Sequence, residues 1–351
     1  MTEPIRIGIV GAGRIVRAEH VPRFRAIEGV ELVGVANRSP ESSRRAADEL
    51  GLERAFPHWR SLVGDPGVDA VLVGAWPVLH APVSIAALDA GKHVLTEARM
   101  AATAEEARAM VRAARAHPDR VAMVVPASFS LWADATIARL VHAGAIGRVR
   151  HVQVTWDASG PADPADFWRW RRATSGENVM SLGILAEAMA RWLGQPEAVS
   201  ALTRLDAALR PGPDGPIEAD VPDHVLALAE YPDDVTAVIE MSARTNAHTA
   251  DRVAIHGTDA SLVVDLAARR IDRLPGRGGT PEPVAIRDED RADWTAEIDF
   301  VAAIRGERSV TLTDFATGLG YMAFLEAVQR SAASGCRVLV EGSAPRAQRL
   351  P

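Results

Sequence analysis

Gly8-Ile9-Val10-Gly11-Ala12-Gly13-Arg14-Ile15-Val16 closes the first apolar run of the chain, Ile5–Val10, and opens an amphipathic stretch. Gly11 permits a tight strand-to-helix turn, and Gly13 lets a pyrophosphate approach the backbone. Arg14 and Ile15 then start a helix whose free N–H groups and dipole favour phosphate. A lone Gly-x-Gly is weak evidence. The first strand-to-helix turn of an alternating chain is the context that gives it weight. The third glycine position is Val16, whose bulk predicts a helix set slightly farther from the sheet.

Further apolar runs, Glu31–Ala36, Ala70–Gly74, Val94–Thr96 and Val121–Val125, read as buried strands. Helix-like stretches lie between them at Pro40–Leu50, Ala81–Ala90 and Thr103–Ala116. Ser39 before Pro40 is an N-cap followed by proline at the first helical position. Strand and helix in alternation predict a doubly wound parallel sheet of Rossmann type over residues 1–125. From residue 126 the pattern changes. A helix near Ala133–Ala143 precedes the strand Val149–Trp156, an Arg/Trp-rich loop and a helix over Val179–Leu193. Strands follow at Val199–Arg204, His224–Glu230, Val235–Ser242, Arg252–His256 and Ser261–Asp265, with a hairpin signal at Asp233-Asp234. Helices Trp294–Arg305 and Asp314–Ser334 end the fold. Residues 126–351 thus read as an α+β domain with a mainly antiparallel open sheet, for substrate binding and oligomerisation; the whole is α/β in class.

Composition narrows the function. A chain of 351 residues is long for one core and comfortable for two. Its formal net charge of -7, with no dense Lys/Arg block, argues against nucleic acid or an anionic membrane as partner. A single cysteine, Cys336, can form neither an internal disulfide nor a cysteine zinc site. The N-terminus runs straight into a strand without a leader pattern, so the expected location is cytoplasmic. No metal-ligand spacing, P-loop or Gly-x-Ser-x-Gly elbow occurs, and no metal is expected.

At the end of the second strand stands Asn37-Arg38-Ser39. An NAD site usually places a carboxylate there, on the ribose 2′-hydroxyl. Asn37 is neutral; Arg38 can pair with a 2′-phosphate or stack on adenine, and Ser39 can donate to that phosphate. The reading favours NADP(H) over NAD(H).

Several stretches resemble the glucose–fructose oxidoreductase / inositol dehydrogenase / MocA family. They are Ile7–Gly13, Asp69–Val73, His80-Ala81-Pro82-Val83, Gly91–Glu97, Ala145–Val149, Ser181-Leu182-Gly183-Ile184 and Ile255-His256-Gly257-Thr258. The resemblance runs in order along nearly the whole chain. It implies NAD(P)-dependent oxidation or reduction of sugars, polyols or related carbonyl compounds. It also implies cofactor contacts from Ala75, Trp76, His80 and Glu97, and an open sheet that pairs subunits as a homodimer or homotetramer.

The family's proton-exchanging residues are missing. Glu97-Ala98-Arg99 stands where members carry Glu-Lys-Pro, and the aligned Asp and His positions are Ser181 and Leu185, with Ala188 for a further acid. The candidates that remain for catalysis are Glu97, Arg99, His80 and Asn178. Trp168, Trp170, Ser181 and His248 are candidates for the substrate pocket, since indole faces suit sugar rings. Asn178 also reads as a helix cap. The missing residues keep two alternatives open. One is a same-fold eliminase, isomerase or hydrolase using bound NAD(P) transiently or structurally; the other is a non-catalytic cofactor-binding protein.

Overall fold

The computed structural model describes residues 3–158, 164–244 and 251–342. The chain folds as two units. The first holds residues up to Pro126 together with Ala173–Gly176 and Thr295–Met322; the second holds Ala127–Arg172, Glu177–Trp294 and Ala323 onward. The helix expected to help finish the second domain, observed as Ala296–Ile304, therefore belongs to the first. There Phe300 meets Phe24 edge to face.

The first unit is built on six strands: β1 Ile5–Val10, β2 Val30–Ala36, β3 Arg54–Phe56, β4 Ala70–Val73, β5 His93–Thr96 and β6 Ala122–Val124. All pair in parallel, in the order β3-β2-β1-β4-β5-β6, so the switch point lies between β1 and β4. Every residue of β4 is fully buried, as a strand covered on both faces requires. The helices start where the sequence marks them. Ser39 forms a capping box with Ser42 ahead of Pro40–Leu50, and Thr103 accepts from the Glu106 amide ahead of Ala104–Ala116. The three-residue strand β3 is too short to show a period and was not expected.

Two close approaches fix the first turn. Gly11 has φ +86°, and a Cβ on it would lie 2.6 Å from the Ala75 backbone. A Cβ on Gly74 would lie 2.2 Å from Val16 Cγ2 and 2.8 Å from the Gly11 carbonyl oxygen. Val16 is thus taken up by the missing side chain of Gly74 and is 1% exposed. This corrects the expected stand-off: the small residue has moved from the helix to the strand end. The turn Val16–His20 is π-helical and runs on into the helix Val21–Arg25.

The second unit carries a nine-stranded sheet. Its members in chain order are β7 Val149–Asp157, β8 Ala198–Arg204, a separate small ladder of β9 Leu209–Arg210 and β10 Ile217–Glu218, then β11 His224–Tyr231, β12 Val235–Ser242, β13 Arg252–Gly257, β14 Ala260–Asp265, β15 Arg270–Pro275, β16 Glu282–Pro283 and β17 Val338–Leu339. The order is β16-β15-β14-β13-β7-β12-β11-β8-β17, antiparallel throughout except for β7 with β12. Strands β15 and β16 border the Pro/Gly-rich stretch from Pro275 to Pro283. Asp233 and Asp234 turn β11 into β12 with φ of 59° and 60°, the left-handed geometry that such hairpins need.

One face of this sheet is packed and the other is open. Along β11, Val225, Ala227, Ala229 and Tyr231 are buried, whereas Leu226 and Leu228 are 36% and 45% exposed. Leu226 pairs with Leu202 of β8, and Leu228 with Val238 of β12, both likewise exposed. Near the packed side, the Leu131–His142 and Leu182–Leu193 helices are tied by Arg191, which pairs with Asp134 and with the buried Glu187. The second helix begins three residues later than expected, after Met180 at φ 45°.

The fit of Val16 against residue 74 is directly testable. Gly74→Ala should lower stability by about 1–3 kcal/mol, the usual range for overpacking. Adding Val16→Ala should recover part of that loss in a double-mutant cycle read by thermal unfolding. Equal and additive losses would contradict this account.

Candidate functional site

The turn after β1 is held from beneath by β2. Gly11 N–H donates to the Ala36 carbonyl at 2.9 Å, and Ala12 N–H donates to Asn37 Oδ1 at 2.8 Å. Asn37 Nδ2 donates to the Ser42 carbonyl at 3.1 Å, and Asn37 N–H donates to Ser43 Oγ at 2.8 Å. The Asn37 side chain therefore joins the glycine turn to the capped helix beside it. Ser39 Oγ accepts the Ser42 amide, so it too has a structural task.

Gly13 differs from Gly11. It has no left-handed φ, and a Cβ on it would meet only the Gly74 carbonyl oxygen, at an ordinary 3.6 Å. The fold itself has room for alanine there. What the missing side chain leaves is a bare backbone at a helix start, the cradle a pyrophosphate fills. The residues thus fit a dinucleotide. Arg38, at the rim, is exposed and lies over the Trp76 ring, 5.8 Å from its centroid.

Across the switch point, Glu97-Ala98-Arg99-Met100 follows β5. This turn is anchored at three points. Glu97 Oε1 takes a hydrogen bond from His20 Nε2 at 2.9 Å. The Arg99 carbonyl lies 2.8 Å from His80 Nδ1, and Met100 N–H donates to Tyr321 Oη at 2.6 Å. The Ala98–Arg99 peptide is cis. Arg99 is 3% exposed, so its guanidinium is buried rather than turned to solvent.

His80 is fully committed. Its Nε2 lies 2.8 Å from the Ala75 carbonyl, opposite the Arg99 contact, and burial pushes its pKa below the ordinary value. With both nitrogens against backbone carbonyls, the ring braces two loops and has little freedom to exchange protons.

His20, Glu297 and Tyr321 escaped the sequence reading. His20 is fully buried between two carboxylates, with Nδ1 2.5 Å from Glu297 Oε1 and Nε2 on Glu97. Burial alone would push the imidazole down. Hydrogen bonds to Glu297 and Glu97, with their negative charges, outweigh burial and raise its pKa to about 9. Glu297 sits in the first turn of its helix, where the dipole favours an anion. No local signal joins these residues, since they meet only through the fold.

In the second unit, Trp168 and Trp170 close the short helix Pro164–Trp170. Arg169 lies over the Trp168 ring at 4.5 Å, and Arg210 over Trp170 at 4.2 Å. Arg210 is tied to the buried Asp223 at 2.8 Å, so one face of Trp170 is already occupied. Asn178 is buried but does not cap the helix, whose N-cap is Ser181 without a side-chain hydrogen bond. Leu185 and Ala188 are fully buried. His248 lies outside the described residues. Among the described residues, no His/Cys/Asp/Glu group is arranged to hold a metal ion, and no helix is long and apolar enough to cross a membrane.

The His20 cluster has a pH signature. A pKa raised from 6.5 to about 9 adds stability that is present in full below the lower value and lost as pH rises through the upper one. The cluster should contribute about 2–4 kcal/mol near neutrality. Unfolding at pH 7 and pH 10 should show wild type losing far more stability than His20→Gln. Parallel losses in the two proteins would refute the assignment.

Comparison with known proteins places this geometry. A family profile described as "Oxidoreductase family, NAD-binding Rossmann fold" matches residues 5–125, and the GFO/IDH/MocA C-terminal domain matches residues 135–263. Levoglucosan dehydrogenase of Pseudarthrobacter phenanthrenivorans is 30% identical over 299 residues, spanning 76% of this chain and 74% of that one. Inositol 2-dehydrogenase of Acidothermus cellulolyticus is 27% identical over 308 residues, 84% of each chain. A solved levoglucosan dehydrogenase in complex with NADH and L-sorbose superimposes with a TM-score of 0.80 at 25% identity, covering 97% of this chain and 99% of that one. The glycine cradle, the switch point beside it and the open mixed sheet are those of a common lineage: this chain belongs to the glucose–fructose oxidoreductase / inositol dehydrogenase / MocA family of NAD-binding, sugar- and polyol-dehydrogenase-like oxidoreductases.

Proposed function

We propose that the protein is a cytoplasmic oxidoreductase that prefers NADP(H) and acts on a sugar-like, polyol or other small carbonyl or hydroxyl compound. The observation that carries the reading is the Gly11–Gly13 cradle after β1, at the end of the parallel sheet where β5 leads into Glu97 and Arg99. The backbone of Gly11, Gly13, Arg14 and Ile15 holds the pyrophosphate. Asn37, Arg38, Ser39, Ala75, Trp76, His80 and Glu97 line the rest of the dinucleotide path. When bound, the nicotinamide supplies or accepts hydride, which is the cofactor's own chemistry. The protein orients the substrate. Arg99 carries a charge that does not titrate in the working range and suits an acceptor oxygen. In the second unit, Trp168, Trp170, Asn178 and Ser181 are the residues assigned to substrate, together with His248, which lies outside the described residues.

The NADP(H) preference rests on Arg38. No carboxylate stands at the end of β2 to repel a 2′-phosphate, and the side chains of Asn37 and Ser39 have structural tasks. A second reading has its own observation. The family resemblance implies proton-exchanging residues at the positions of Ala98 and Leu185, and their absence suits a same-fold enzyme without net redox turnover.

Cofactor titrations of the wild type and Arg38→Ala, followed by a panel of sugars and polyols, decide among these. NADPH should bind tighter than NADH, and Arg38→Ala should weaken NADPH by about tenfold or more, the loss of one charge-assisted contact, while sparing NADH. Tighter NADH binding by the wild type would overturn the preference. Turnover without net cofactor change would favour the second reading.

The open sheet face implies a second copy. Leu202, Leu226, Leu228 and Val238 form adjacent exposed apolar pairs, and a two-fold axis lets one such face cover another. Sedimentation should give a dimer or tetramer, and Leu228→Glu should lower the assembly state. A wild-type monomer at micromolar concentration would rule this out.

A further inference from the structure

We infer that His20 is a positioning residue: a buried imidazolium, oriented by Glu297, that holds the Glu97 carboxylate in one place at the edge of the cofactor site. The inference rests on the reading of Glu97 as a site residue. Its physical basis stands apart from that reading.

Three buried or half-buried groups lie in a row. Glu297 is 1% exposed, His20 is wholly buried and Glu97 is 17% exposed in its side chain. Only Glu97, at the end of β5, has an outlet. A neutral imidazole has one N–H and one lone pair, so it can serve one carboxylate and must repel the other. With oxygens 2.5 Å and 2.9 Å from its two nitrogens, the ring satisfies both only when doubly protonated. A carboxylate as deeply buried as Glu297 also requires a cation beside it. The raised pKa of His20 agrees with that geometry.

The charged groups acting on His20 are Glu97 from β5 and Glu297 from the Ala296–Ile304 helix. From its own helix the Phe24 ring stacks on it at 6.4 Å. On the far side of Glu97, His80 lies within electrostatic reach of Glu97 and Arg99 and is held by backbone carbonyls.

The π-helical turn gives the arrangement its purpose. It starts at Val16, directly after the glycine cradle, and ends at His20. The cradle that holds the pyrophosphate and the cation that holds Glu97 are therefore two ends of one short rigid segment. Glu97 is presented to the site as a fixed hydrogen-bond acceptor beside Ala98, which has no side chain able to do this.

The test uses the full-length protein with ¹⁵N-labelled histidine side chains, His20 being assigned by its loss in His20→Gln. At pH 7 His20 should show both nitrogens protonated, with strongly downfield N–H protons. Glu97→Gln should move the Nε2–H proton upfield, and Glu297→Gln the Nδ1–H proton. A neutral His20 at pH 7, or a spectrum unmoved by either variant, overturns the proposal whether or not a substrate is known. With a turned-over substrate, His20→Gln should lower kcat by about tenfold or more while leaving cofactor Kd within about threefold. It should also remove an alkaline limb near pH 9 from the rate profile. Unchanged kcat and an unchanged limb would make the cluster purely structural. If His20→Gln does not fold, Glu297→Gln carries the same kinetic expectation. A chain that binds cofactor but turns over nothing, yet shows the imidazolium signature and its loss in Glu97→Gln, would defeat the oxidoreductase reading and leave the clamp standing.

Discussion

The end of β1 and the end of β4 come closer than two side chains allow. Gly11 meets the Ala75 backbone, and Gly74 meets Val16 and the Gly11 carbonyl. That approach opens the switch point, sets the cradle, and starts the π-helical turn that delivers His20 beneath Glu97. Side chains on both glycines would push the first helix away and part the cradle from the carboxylate.

The first unit was legible because its signals are local. Buried strands are runs of Val and Ile, and the helices carry Ser39 and Thr103 as caps. What escaped the reading was short or non-local. Strand β3 has three residues and no period. His20, Glu97 and Glu297 come from three distant segments, and nothing near Glu297 in the chain announces its partner. Helix Ala296–Ile304 was recognised as a helix yet assigned to the wrong unit, because periodicity reports an apolar face and not what that face meets. Val16 was recognised as bulky, but its compensation at Gly74 lay on another strand.

Near Glu97 the structure trades mobile proton carriers for fixed charges. Ala98 cannot exchange a proton, and His80 is held by two carbonyls. Arg99 and the His20 pair supply charge that does not change across ordinary working conditions. On the function proposed above, such a site would favour orientation and electrostatic stabilisation over proton shuttling.

The open face of the large sheet also bears on how the chain finds its strand pairing. A strand normally resists slipping by one residue because the slip would expose its apolar set and bury its polar one. In β11 that penalty is weak: the outward Leu226 and Leu228 are larger than the inward Ala227 and Ala229. Over Leu226–Ala229 hydrophobicity would accept either face, and the buried Val225 and Tyr231 near the strand's ends favour the observed one. The tight Asp233-Asp234 turn, with its left-handed backbone, reinforces that pairing of β11 with β12. Two exposed aspartates thus help to hold the alignment on which the interior of the second unit depends.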